Sequence, residues 1–372
     1  MPNLARAENL PGRRLAQIRQ ARGKTQAGLA AELGVSRQFL SQMEAGRVLP
    51  NVLIALRTAA LLGTTVEDLF GEAAAERERS PHVELVDAAL SPGARLRVGR
   101  VGKSWIAFAA DTPRSMAAGF EAADAVLLED SAARFLKPAG TVAANLLLAG
   151  CDPALALLQS AKTEGGGRYH WVDCGSGHAL DLLSAGRVHV AGIHYAGANG
   201  SGNLREVRLR DRERDWALVR FTRWEQGWIV RRDPARPFTG LAELRTGAWK
   251  LANRDRSTAA RRWFDQQLSR ARIAEADIPG YDSDAGSALE AAQAIAAGRA
   301  DVMVGPQALA VAHGLGFVPA EAVDFDLVAP AQWWRSPSGE QLKEHLAELA
   351  AEGVLTSLPG YVPTEAGIGR SR

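Results

Sequence analysis

The chain has 372 residues, 47% of them apolar and 23% charged, the composition of a globular protein of two or three domains rather than a disordered one. A net charge of +2 gives no global pull toward nucleic acid. No apolar run approaches the roughly 18 residues a membrane span needs, and the opening Met-Pro-Asn-Leu-Ala-Arg-Ala-Glu has no apolar signal core. A cytoplasmic protein is expected, with its two cysteines, Cys151 and Cys174, reduced.

In chain order, the first segment reads as short helices. Leu15, Ile18 and Ala21, spaced by three, predict a helix over 12–22. A second runs from an N-cap at Thr25 to a stop at Gly34, with Leu29, Ala30 and Leu33 inward. A third follows the N-cap Ser36, burying Phe39, Leu40 and Met43 and ending at Gly46. A fourth spans 51–62 with Leu53, Leu56, Ala60 and Leu61 inside, and 66–70 makes a last turn. The tight turn between the second and third helices is that of a helix-turn-helix, whose second helix enters a DNA major groove. Between 11 and 57 eight basic residues meet only Glu32 and Glu44, a local charge of +6 suited to phosphates.

Residues 72–82 are charged, Ala-rich and closed by Pro81, which reads as a linker. From 83 to 140 the pattern turns to strands, at 95–101, 105–109 and 125–128, a small β-rich segment. From 141 onward strand and helix alternate: a strand over 142–149, a helix over 153–162, a strand over 169–172, a helix over 177–185 and a strand over 188–193. This βαβαβ rhythm predicts parallel pairing with right-handed crossovers. A second alternation follows, with strands at 217–222, 227–231, 249–252, 301–304 and 326–329, helices at 241–244, 258–268 and 288–297, and a helical tail over 338–352. The outline is a two-lobed α/β domain over 141–372, with lobe 1 at about 141–215, lobe 2 at about 216–330 and a C-terminal helix returning.

The helices within 1–71 closely resemble the lambda-repressor-like (Cro/repressor, XRE-type) DNA-binding domain, through Gln26, Ala30, Gly34, Ser36 and Met43-Glu44-Ala45-Gly46. The resemblance implies that Gln26 holds a phosphate, that Arg37, Gln38 and Gln42 face the groove, and that Arg19 and Glu44 bridge helices. Arg can read guanine and Gln adenine through paired hydrogen bonds. Ser36 caps the reading helix, and Ser41 and Arg47 are expected on phosphates. Such readers bind operator DNA as two-fold dimers, so a homodimer is expected. Without coiled-coil heptads, its contacts must come from helix four or the large domain.

Residues 141–367 resemble a periplasmic-binding-protein-like domain, through Ala149-Gly-Cys-Asp-Pro-Ala-Leu155, Asp173-Cys-Gly-Ser-Gly-His178, Val190-Ala-Gly-Ile-His194, Glu225-Gln-Gly-Trp-Ile-Val230, Asn253-Arg254, Pro279-Gly-Tyr281 and Leu358-Pro-Gly-Tyr361. The resemblance implies a small ligand between the lobes, closure on binding and no catalysis, with a molybdate-like oxyanion as the first candidate and an organic carboxylate or cofactor precursor as the second. The residues agree. Cys151-Asp152, Cys174 through Gly177, and His194 each follow a predicted strand, and strand ends converge on one cleft edge. Ser176 and Gly177 open a helix whose N–H groups can cradle an anion. Asn253, Arg254, Ser257 and Thr258 form a second strand-to-helix junction suited to an oxyanion or carboxylate, although Ser257-Thr-Ala-Ala260 replaces the Gly-Ser-Gly-Thr-like turn of relatives.

An alternative is a metal or redox sensor using Cys151, Cys174 and His194, although neither cysteine has the short spacing of a metal site. Cys151, His194 and Asp173 could be drawn as a nucleophile set, but nothing in their spacing requires it. Neither a Walker loop nor a dinucleotide fingerprint occurs. The expectation is a ligand-responsive transcriptional regulator with no catalytic residues, metal or cofactor.

Overall fold

The computed structural model describes residues 13–70, 80–86, 90–112, 120–197, 201–233, 235–362 and 369–370. Of the expected linker at 72–82, only 80–82 lie within them. The chain divides into two units, Met1–Ala144 and Asn145–Arg372.

In the first unit, five helices follow in order: α1 (Arg13–Ala21), α2 (Gln26–Leu33), α3 (Arg37–Glu44), α4 (Val52–Leu62) and α5 (Val66–Phe70). Each boundary has a local cause. The Thr25, Ser36 and Asn51 side chains accept from the backbone N–H groups of Gly28, Phe39 and Ile54, relieving donors that a helix start leaves open. Gly34 and Gly63 end α2 and α4 at φ of 70° and 61°, where a Cβ would be strained. Leu15, Leu29, Leu33, Leu40, Met43 and Leu62 make the core.

Helix α4 corrects one expectation. Leu53 is 60% exposed, and Leu56, Ala60 and Leu61 also face outward; Ala55, Thr58, Ala59 and Leu62 are buried instead. The helix Val-Leu-Ile-Ala-Leu-Arg-Thr-Ala-Ala-Leu-Leu has almost no polar residue to set its phase. The small residues Ala55, Thr58 and Ala59 turn inward, and Leu53, Leu56 and Leu61 are left outside.

Downstream, β1 (Glu84–Leu85), β2 (Arg95–Val101), β3 (Ser104–Ala109), β4 (Ala125–Leu127) and β5 (Ala133–Phe135) form a sheet in the order β1-β3-β2-β4-β5. This is the β-rich segment. The short helix α6 (Ala139–Ala143) seals it with Val142. The strand expected over 142–149 therefore begins only at Leu146, because Pro138 starts a helical turn that uses 139–143.

The second unit is built on a sheet of β6 (Leu146–Gly150), β7 (Tyr169–Asp173), β8 (Val190–Ile193), β9 (Trp216–Val230), β10 (Val302–Pro306) and β11 (Gly316–Pro330), in the order β10-β9-β11-β8-β6-β7; β12 (Gly369–Arg370) pairs with β9. β6 pairs in parallel with β7 and β8, as the βαβ rhythm requires. The helices are α7 (Ser176–Ser184), α8 (Ser201–Arg210), α9 (Ala259–Ala271), α10 (Ala288–Ala296), α11 (Gln307–Ala312), α12 (Ala331–Trp334) and α13 (Pro337–Ala351). Pro153–Ser160 and Leu241–Thr246 are 3-10 turns, and 249–252 joins the sheet only through a bridge from Leu251 to Val302.

The two long strands differ most from expectation. Strands read separately at 217–222 and 227–231 are one antiparallel partner, β9, of an equally long β11. Each strand serves two cores. Phe221, Trp224, Val323 and Phe325 belong to one, with Leu148, Leu342 and Leu346. Trp228 and Val230 belong to another, with Trp249, Phe264 and Val302. We propose that the lobe division runs through both strands, which form the hinge, and that α12 and α13 complete the first lobe.

Candidate functional site

Helix α3 and its flanks present Ser36, Arg37, Gln38, Ser41 and Arg47 to solvent, and Gln42 half-buried. Beneath it, Arg19 Nε donates to Glu44 Oε1 at 2.6 Å and its guanidinium also reaches the Lys24 carbonyl at 2.7 Å. Both side chains are buried, so the pair locks α1 to α3. Gln26 Nε2 donates to the same Glu44 carboxylate at 2.7 Å. A phosphate taken by that amide would compete with Glu44, which leaves Gln26 with at least a share in holding α2 against α3.

In the second unit, residues from 151 to 258 meet. β6, β7 and β8 end side by side and deliver Cys151, Cys174 and His194. Ser176, fully buried at the start of α7, accepts from the His194 backbone N–H at 3.2 Å. Opposite lies the start of α9, where Thr258 accepts from the Arg261 N–H at 3.3 Å and donates to the Asp255 carbonyl at 2.8 Å. The two helix starts touch so closely that only glycine fits between them. A Cβ on Gly175 would lie 2.8 Å from Thr258 Cγ2, and one on Gly177 would lie 2.7 Å from the Ser257 carbonyl oxygen. α7 has no side-chain cap, so its first-turn N–H groups depend on whatever enters this junction.

Arg254 is 8% exposed, and its Nε is buried with no hydrogen-bond partner. Burial, then the Arg254 charge, holds His194 down at about 4, so the imidazole is neutral. Its ring lies 5.1 Å from that of Trp224 and stacks at 6.1 Å on Phe325. Burial pushes the Cys151 and Cys174 thiols up to about 11 and about 12. A buried, unpartnered cationic N–H whose charge is felt at Cys151 and His194 can receive an anion.

Three expected contacts have other duties. The Asp152 carboxylate caps Ala154 N at 2.9 Å and accepts from Tyr361 Oη at 2.5 Å and from the Thr222 hydroxyl. Burial raises its pKa, which fits a carboxyl held inside the first lobe. Asn253 donates to the Tyr281 carbonyl at 2.8 Å and accepts from the Arg254 N–H at 3.0 Å, so it shapes the loop that carries the arginine. Ser257 donates its N–H to Asp255 at 2.8 Å.

Sequence reading missed an ion pair between the lobes. Glu206 of α8 accepts from Arg262 of α9 at 2.8 and 2.9 Å, and the Arg262 guanidinium lies 4.9 Å from the Tyr195 ring centroid. Asn203 joins this region to the hinge: Tyr195 N donates to it at 2.5 Å, and it donates to Asp326 at 2.8 Å. Arg220, in turn, holds both Asp324 and Asp326. The alternating arginines of Asn203-Leu-Arg-Glu-Val-Arg-Leu-Arg210 were the available signal.

The alternative built on Cys151, Cys174 and His194 loses its metal arm. Among the described residues, no group of three His, Cys, Asp or Glu could hold a metal ion. The thiols follow the paired Gly150 and Asp173, but their raised pKa values oppose the thiolate that exchange chemistry needs. Among the described residues, no helix is long and apolar enough to cross a membrane.

A relative in Bacillus subtilis (strain 168), the uncharacterized protein YvgK, is 24% identical over 155 residues, 41% of this chain and 50% of that protein. The chain thus spans about half the length of the curated relative it matches. Among solved structures, the effector binding domain of QuiR in complex with shikimate gives a TM-score of 0.41 at 11% identity, over 56% of this chain and 97% of that one. The regulatory domain of HypT from Salmonella typhimurium, in its apo form, gives 0.41 at 14% identity over 56% and 96%. The model of a helix-turn-helix domain matches residues 12–70. The model of the PBP superfamily domain matches residues 158–347, just over half of the chain, which therefore belongs to that family and carries a helix-turn-helix domain ahead of it.

Proposed function

We propose that the protein is a cytoplasmic, homodimeric transcriptional regulator that binds a two-fold operator through α3 and a small anion between the lobes of its second unit. It acts as a sensor and not as a catalyst. Arg37, Gln38 and Gln42 read base edges, and Ser41, Arg47 and the start of α2 at Gln26 hold phosphates. The observation that carries the ligand half is Arg254 Nε, buried without a partner and close enough to Cys151 and His194 for its charge to act on both. Cys151, Cys174, Ser176, Gly177, His194 and Thr258 surround the ligand, while Asp152, Asn253 and Ser257 support the loops. A molybdate-like oxyanion is the first candidate and an organic carboxylate the second.

A thermal-shift panel of molybdate, sulfate, phosphate and small carboxylates tests this reading on the wild type and on Arg254→Met. A true effector at a hundred times its dissociation constant adds about 2.7 kcal/mol to the wild type and little to the variant. Equal shifts in both proteins would remove the assignment. For the reader, footprinting of Arg37→Ala should show discrimination relaxed by about 1–3 kcal/mol at one base pair; unchanged specificity would place the groove contacts elsewhere.

A further inference from the structure

Two surface helices of the second unit carry stripes that match in length and oppose in charge. On α8 and the residue pair beyond it, Ser201, Leu204, Arg205, Arg208, Leu209 and Arg212 line one groove of about 570 Å³. Their spacing of three and four places them on one helical face. Arg205, Arg208 and Arg212 are exposed, and Leu209 is 58% exposed between them. The opposite face of α8 is buried through Asn203, Glu206 and Val207.

On α13, Leu342 and Leu346 face the first-lobe core. Its outer face is Glu344, Ala347, Glu348 and Ala351, continued by Glu352, all exposed. This row has the same spacing. Its alanines make a low ridge, and its carboxylates flank it. From Ser201 to Leu209 the helical stripe runs about 12 Å, and from Glu344 to Ala351 the glutamate stripe runs about 10 Å. Large apolar side chains between arginines on one element therefore face small ones between glutamates on the other, the complement that ridge-into-groove packing uses.

We propose that the arginine–leucine groove of α8 receives the glutamate–alanine face of α13 from a second copy of this chain. In a two-fold arrangement the contact occurs twice, since each copy carries both stripes. Doubling brings it toward the roughly 1,200–2,000 Å² of a stable interface. Each exposed ion pair would contribute little by itself. Leu204 and Leu209, covered on association, supply attraction, and the charges set register and partner. The surface rests on the reading of the protein as a homodimer.

The experiment is sedimentation of the full chain over a concentration series, with three variants. Arg208→Glu with Arg212→Glu, and separately Glu344→Arg with Glu348→Arg, should each weaken self-association by at least about tenfold. All four substitutions together should restore it. The substituted side chains are exposed, and circular dichroism checks that each variant is folded. A monomeric wild type would overturn the dimer reading itself. A wild-type dimer that either charge reversal leaves intact, or that the fourfold swap fails to restore, would overturn this surface alone. Loss of DNA affinity at unchanged self-association in the arginine variant would assign the groove to nucleic acid and end the proposal.

Discussion

Removing the guanidinium of Arg262 should unlatch the cleft. Glu206 is 6% exposed and Arg262 38%, so their ion pair is neither fully buried nor fully solvated. Breaking a buried pair costs about 3–5 kcal/mol, and an exposed pair contributes below about 1. Two paired hydrogen bonds at 2.8 and 2.9 Å argue for an intermediate value. Arg210 at 3.6 Å and Arg205 at 3.9 Å still compensate the glutamate after truncation. About 2 kcal/mol is therefore expected for Arg262→Ala, roughly a 30-fold loss in the ratio of closed to open lobes. Hydrogen exchange without ligand reads this ratio at Ser176 and Gly177, both buried at the junction. They should exchange about 30-fold faster in the variant, and Arg262→Lys, a point charge without the fork, should fall between. The Arg262 hydrogen bonds hold the Glu206 carboxyl below its ordinary value. The latch is then complete above the ordinary glutamate pKa and is lost as pH falls through the lowered one. From pH 8 to 5 the difference between wild type and variant should stay constant. Identical exchange in the two proteins would mean that the bridge holds nothing closed.

The buried imidazole of His194 gives the second unit an acid sensitivity. Its pKa is held at about 4, against 6.5 for a free histidine, so the unfolded chain takes up a proton first. Stability should fall as pH drops from 6.5 to 4, by roughly 3 kcal/mol. Calorimetry of His194→Phe should show a flatter profile over that window, and an unchanged slope would place the titration elsewhere. Gly177→Ala should hold the lobes apart, since its Cβ would approach the Ser257 carbonyl oxygen to 2.7 Å. The variant should fold with an unchanged melting profile but show the fast exchange of the Arg262→Ala protein; slow exchange would mean that the junction yields.

Much of the reader was legible because its signals are local. A hydroxyl at Thr25 or Ser36 caps the helix that begins beside it, and Gly34 turns where its own φ demands. The cleft was partly legible for a similar reason: strand ends converge, so Cys151, Cys174 and His194 could be placed together without knowing any distance. The hinge was not. Gly227 reads as the start of a separate strand over 227–231, and no element is expected around Pro319. In the fold they are paired neighbours. A Cβ at 227 would lie 2.3 Å from the Val318 carbonyl oxygen, and the ladder shifts register after Pro319. Both residues serve a close crossing of long strands, which appears only once the partner strand is known. The duties of Asp152 are hidden likewise, since Thr222 and Tyr361 lie 70 and 209 residues away.

Among the buried side-chain atoms left without a hydrogen-bond partner, Arg254 Nε explains how an anion could drive the lobes together. Unpaired and buried, Arg254 Nε costs about 1–3 kcal/mol in a closed, empty cleft. With the lobes apart, water satisfies it at no cost. An anion accepting this N–H removes the penalty in the closed form and gains little in the open one. The difference is the differential affinity without which no ligand shifts an equilibrium. The Glu206–Arg262 pair acts in the same direction but owes nothing to the ligand. Its strength therefore sets how far the empty protein is already closed, and Arg254 sets how much an anion can add. If closure alters operator affinity, the operator must alter anion affinity by the same factor. Weakening the latch should then enlarge the response to anion while lowering its apparent affinity, whereas loss of Arg254 should abolish both.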